Sequence, residues 1–281
     1  MPPSPLPRVL LTLALSLLPL APALAGPDAP IPPVPSTALS ASPTSAERLT
    51  RAISALTSPS IHRQQKAIIT LTALGGEKAD AALLSQFDRW QSGELPVALW
   101  LDLAEAAAKR NTPLLKTRLL QYERSFATAG DPLHRWRECL EGGDADEGRE
   151  LFFHKLEAGC FRCHKVDGEG AEIGPDLTGL GQRMDRVYIL ESIIDPNAVI
   201  SPGFDQALLT LASGEQVSGL IQVETADYLT LVSVTDGKKR QIKTAEITQR
   251  TALPSAMPPA FGQVLTKRNL RDLVEFIATS Q

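Results

Sequence analysis

Residues 158–170 read AGCFRCHKVDGEG. Cys160 and Cys163 stand three apart, and His164 follows the second directly. The chain has three cysteines in 281 residues, and the third, Cys139, stands alone in RWRECLEGG. The amino terminus indicates where these thiols work. In MPPSPLPRVLLTLALSLLPLAPALAG a lone basic residue, Arg8, precedes an apolar run from Val9 to Leu20, and Ala23-Leu24-Ala25 is a small-x-small cleavage pattern. About a dozen apolar residues fall short of the roughly 20 that span a bilayer, and Pro19 and Pro22 interrupt them. A secretory signal peptide over 1–25 is therefore expected, with export to the periplasm and no membrane span after cleavage. Cysteines in an oxidising compartment usually pair, but three cannot all pair within one chain. Something else must occupy at least one of them.

The spacing supplies an occupant. Two thiols three residues apart on a tight turn point the same way and can add across the two vinyl groups of one haem. The histidine that follows then lies where an imidazole nitrogen can ligate the iron. Cys160-Phe161-Arg162-Cys163-His164 is thus a haem c attachment motif. Other uses of the pair fit less well. A zinc site needs four ligands, and Cys139 is the one thiol left. A thioredoxin-like redox pair belongs between a strand and a helix, whereas helices are expected on both sides here. A disulfide across two residues would be strained.

A second iron ligand is sought among Met184, Met257, His62, His134 and His154, with an open site as the remaining choice. Met257 lies in the proline-rich PSAMPPAFG, a loop able to hold a thioether still, and is favoured. Met184, in GQRMDRVYIL, is expected at a helix start as a packing residue. The other ring nitrogen of His164 needs an acceptor. In GAEIGPDLTGLG, Gly174 permits close approach to the haem and the Pro175 carbonyl can accept.

Around this motif the chain divides by composition. Residues 26–44, rich in Pro, Ala and Ser, read as a linker. From 45 to 135 apolar residues recur at three and four, which predicts five short antiparallel helices. Gly75-Gly76, Gly93 and Gly130 fall at their ends. Trp90, Trp100 and Trp136 are expected in cores. DADEGRELFFHKLEAG, at 144–159, predicts a further helix with an acidic first turn. From about 204 to 250 the period changes to two, predicting four antiparallel strands near 205–211, 216–224, 228–235 and 239–244. Val217, Gly219, Ile221 and Val223 would share one face. Leu270, Leu273, Val274 and Ile277 make the apolar stripe of a terminal helix. The formal net charge is −4, which lacks the basic footprint that nucleic acid requires.

GRELFFHKLEAGCFRCHKVDGEGAEIGPDLTGLG, followed later by SAMPPAFGQVLTKRNLRDLVEFIA, resembles class I cytochromes c. The likeness covers 140–281 and is greatest to the haem-binding domain abundant in Planctomycetes and Verrucomicrobia. It is carried by Gly148, Phe152, the Gly-Pro-Asp-Leu run at 174–177, LESIIDPNAVISPGF at 190–204 and the late SAMP. The resemblance implies a mainly α protein. A HEAT-like helical region would precede an α-helical cytochrome c domain carrying a small antiparallel β insertion at about 204–250. It implies His164 and Met257 as axial iron ligands. In such relatives a β-propeller dehydrogenase often lies further upstream. This chain has no strand-repeat region of that kind, so a dehydrogenase would be a separate protein. The function implied is an exported monohaem electron carrier, not an enzyme. Its partner would be a redox protein, either a periplasmic dehydrogenase or a terminal acceptor. The alternatives are a peroxidase-like haem enzyme and a redox or ligand sensor, both with an open or labile distal iron site.

Overall fold

In the computed structural model, which describes residues 42–126 and 133–281, the helical periodicity of the first half folds into five α-helices. These are α1 (Ser45–Ala55), α2 (Ile61–Leu74), α3 (Glu77–Gln91), α4 (Trp100–Arg110) and α5 (Pro113–Ser125). The expected signal peptide, residues 26–41 of the expected linker, and Gly130 lie outside the described residues. Helix starts follow local chemistry. Thr44 and Glu47 cap α1 reciprocally, Ser60 accepts from the Arg63 N–H at α2, and Pro113 opens α5 at a position where its missing N–H costs nothing. Leu71, Leu83, Phe87, Leu103, Ala107, Leu115 and Tyr122 fill their common core. Trp90 and Trp100 pack half-buried at its edge. Trp90 meets Tyr122 edge-on at 5.0 Å between ring centroids.

A second core is built by α6 (Ala145–His154), α7 (Arg186–Ile194) and α9 (Lys267–Thr279), with the one-turn α8 (Phe261–Val264) beside them. The Asp144 carboxylate caps α6 by accepting from the Asp146 and Glu147 N–H groups. The stripe Leu270, Leu273, Val274 and Ile277 of α9 is buried against Phe152, Ile189, Leu190 and Ile193, and Trp136 packs half-buried on the same cluster. The helix expected over 144–159 ends at His154. Lys155 turns extended, and Gly159 adopts a left-handed φ of 56° that swings the chain round to Cys160. Helices do not flank the cysteine pair on both sides: a short 3-10 turn, Cys160–Arg162, leads into a hairpin of β1 (Lys165–Val166) and β2 (Glu169–Gly170).

Between α7 and α8 the chain forms a five-stranded antiparallel sheet in the order β6-β5-β4-β3-β7. Its strands are β3 (Gln206–Leu211), β4 (Gln216–Glu224), β5 (Tyr228–Val232), β6 (Lys239–Lys243) and β7 (Ile247–Leu253). The four-strand expectation misses β7 and stops short of residue 253. β7 pairs with β3 at the sheet edge and buries almost nothing, so ITQRTAL lacks the apolar alternation that marks the others. The expected common face of β4 is also broken. A register shift between Ile221 and Val223 sends Val223 to the surface, opposite Thr230. One sheet face has its own core of Ala207, Leu209, Leu211, Ile221, Leu229, Leu231 and Ile242. The other face carries the cross-strand pair Leu220 and Val232, also buried.

Residues 43–281 form one compact unit. Charges tie the helical region to α9: Asp102 receives Arg271 at 2.7 Å and Arg268 at 3.1 Å. Glu138 accepts from the Tyr122 hydroxyl and from Lys267 Nζ, each at 2.6 Å. Among the described residues no helix is long and apolar enough to cross a membrane.

Candidate functional site

The cysteine pair sits on a tight turn. Cys163 and His164 both donate their N–H groups to the Cys160 carbonyl, at 3.1 and 2.9 Å. This winding gathers Cys160, Cys163 and His164 on the wall of one cavity of about 570 Å³. Residues 171–177 are stitched back onto the turn: Ala171 donates to Phe161, Gly174 to Cys163 and Leu177 to Lys165, at 2.9, 2.6 and 2.8 Å. Pro175 is thereby held beneath the imidazole, and His164 Nδ1 lies 2.9 Å from its carbonyl oxygen. A carbonyl can only accept, so Nδ1 carries the proton in this bond and Nε2 keeps its lone pair. Burial pulls the His164 pKa below its ordinary value, with the Pro175 bond opposing, which favours the neutral ring. Burial also pushes the Cys160 thiol up to about 12 and raises Cys163.

Gly174 makes the approach of His164 possible. A Cβ there would sit 2.7 Å from His164 Cε1 and 2.8 Å from Nδ1, closer than carbon atoms pack.

Met257 lines the same cavity, together with Leu177, Leu180, Tyr188 and Phe261. The other candidates for a second iron ligand do not border it. Met184 is 43% exposed at the surface, before the start of α7 rather than packed in a helix. His62 is exposed, and His154 faces solvent beside Glu150. His134 lies on the 3-10 turn His134–Cys139 and does not line the cavity. Cys139 is fully buried in the second core, which leaves no access for an intermolecular disulfide.

Two cavity residues come from an unexpected source. Leu220 of β4 and Val234, just past β5, both line the wall. A sequence signal for Leu220 exists: Leu220-Ile221 places apolar residues on both faces of one strand, so both faces must be covered. No local pattern signals the partnership of Asn197 and Ser255, which crosses 58 residues.

Residues 145–217 match the family model for cytochrome c. No curated protein matches the chain. The match supports a cytochrome c domain over that stretch, the class of haem-based electron carriers. The cofactor of such a domain is covalently bound haem c. The residues present fit it: two thiols on one turn, a neutral imidazole with a free nitrogen, and an apolar cavity into which all three open. The matched stretch contains Cys160, Cys163, His164, Gly174 and Pro175; it ends inside β4, before Met257 is reached.

Proposed function

We propose that this chain is an exported, periplasmic monohaem c-type cytochrome of the Planctomycete and Verrucomicrobia kind, passing single electrons between redox proteins. A separate dehydrogenase would be the donor, and the HEAT-like helices α1–α5 would form a rigid platform for docking. The observation that carries this reading is the convergence of Cys160, Cys163, His164 and Met257 on one cavity. Bound haem supplies one-electron chemistry at its iron. Cys160 and Cys163 would hold the ring by thioether bonds. His164 Nε2 and the Met257 thioether would be the axial ligands, and Pro175 would fix the imidazole tautomer through Nδ1. With His164 and Met257 both holding the iron, substrate would find no open site there and the potential would be raised, which suits electron transfer. On this reading the sheet between α7 and α8 is an insertion between the histidine and methionine halves of the domain.

The test is the oxidised absorption spectrum of the holoprotein beside Met257→Ala. Methionine bound to ferric iron gives a weak far-red band. The unmodified protein is expected to show it and the variant to lose it. A band missing from the unmodified protein, or kept by the variant, removes Met257 as the ligand.

A further inference from the structure

We propose that Asn197 is a positioning residue for Met257, acting as a clasp at the neck of the five-stranded sheet; its consequence at the iron rests on Met257 being the axial ligand. The chain leaves α7 at Asp195, makes the sheet over 206–253, and returns two residues before Met257. Asn197 Oδ1 accepts the Ser255 N–H at 2.8 Å, across the whole excursion. The Ser255 hydroxyl then accepts the Met257 N–H at 3.2 Å.

The other end of the clasp is anchored. Asp195 closes α7 by donating its N–H to the Glu191 carbonyl at 2.7 Å, and its own carbonyl accepts from Ala198 at 3.0 Å. Asn197 donates its N–H to the Asp195 carboxylate at 3.3 Å. α7 itself is held in the core by Ile189, Leu190 and Ile193. A continuous path therefore runs from a packed helix through Asn197 and Ser255 to Met257.

The loop has few other ways to be fixed. In Pro254-Ser255-Ala256-Met257-Pro258-Pro259 the three prolines carry no N–H. Of the three remaining backbone donors, Ser255 and Met257 are both engaged in the clasp. The sheet, with its own core, is tied to the neck by the Gln206–Leu253 pair of the β3–β7 ladder. Without the clasp, movement of the sheet would pass through Pro254 to Met257.

The holoprotein is compared with Asn197→Ala, Asn197→Asp and Ser255→Ala by two readouts. One is amide hydrogen exchange at Ser255 and Met257, which does not depend on the identity of the iron ligand. The other is the rate at which added imidazole binds the ferric protein. Asn197→Ala should speed both by roughly 2- to 12-fold, the factor carried by one net hydrogen bond. Asn197→Asp keeps an acceptor oxygen and should restore slow exchange. Ser255→Ala should speed exchange at Met257 while Ser255's position keeps its protection through Asn197. Unchanged exchange in Asn197→Ala overturns the clasp, whatever the spectrum. Faster exchange in a protein that lacks the far-red methionine band upholds the clasp and overturns Met257 ligation instead.

Discussion

Arg271 of α9 and Asp102 of α4 form a buried ion pair, Nη1 to Oδ2 at 2.7 Å, with side chains 3% and 1% exposed. Arg268 shares the same carboxylate from the partly exposed side. Asp102→Ala leaves Arg271 charged and buried without its partner. Breaking such a pair from one side costs about 3–5 kcal/mol. Denaturant unfolding should show a loss of that size, and Asp102→Asn, which keeps one acceptor, a smaller one. A loss under about 1 kcal/mol, the worth of a surface pair, would contradict the buried geometry.

Gly174→Ala tests the fit around His164. The new Cβ would lie 2.7 Å from the ring, so either the imidazole or the loop must move. Overpacking of this kind costs about 1–3 kcal/mol. A lower yield of haem-loaded protein and a shifted spectrum are expected when it is expressed with haem attachment machinery. Wild-type yield and spectrum would show that the loop yields freely.

Alkaline pH provides a third test. Burial, reinforced by the Glu138 carboxylate, pushes the Cys139 thiol from its ordinary 9.0 up to about 12. Between those values the unfolded chain gives up a proton that the folded chain keeps. Stability is thus full below pH 9 and falls as pH rises to 12, by on the order of 4 kcal/mol. Tyr122, raised by burial and by the same carboxylate, adds to the fall at higher pH. In the holoprotein, Cys139→Ala should flatten the slope between pH 9 and 12 and leave the Tyr122 part. A thiol reagent should find Cys139 only after unfolding.

The sequence made the helices legible because each hides one stripe, as Leu270, Leu273, Val274 and Ile277 do on α9. The cysteine turn was legible because its chemistry requires fixed spacing. β7 was not, since an edge strand is held by backbone pairing that leaves no apolar pattern. The end of α6 was not, because HKLEAG reads as helical until the turn toward Cys160 is known. The place of Leu220 in the cavity depends on how the sheet folds back, which no local pattern contains.

Leu220 yields the fourth prediction. It is buried on the sheet face opposite Leu209 and lines the cavity. Leu220→Ala opens that wall to water, which favours the more highly charged ferric state. The midpoint potential of the holoprotein should fall, as read by spectroelectrochemistry. Leu209→Ala, in the sheet's own core, should cost about 2–5 kcal/mol of stability and leave the potential in place. Equal potentials in both variants would separate the sheet from the haem cavity.

The ladder that begins at Gln206 and Leu253 brings the two ends of a long chain excursion to neighbouring strands, roughly 5 Å apart. A segment whose ends meet adds no span for the surrounding domain to bridge. As far as span is concerned, such a segment is exchangeable: another small fold could take its place without rebuilding α7 or α9, provided it still supplied the cavity wall that Leu220 and Val234 form. The sheet is then a natural grafting point, where new binding surfaces could be acquired over evolution, or installed by design, at the rim of the cavity.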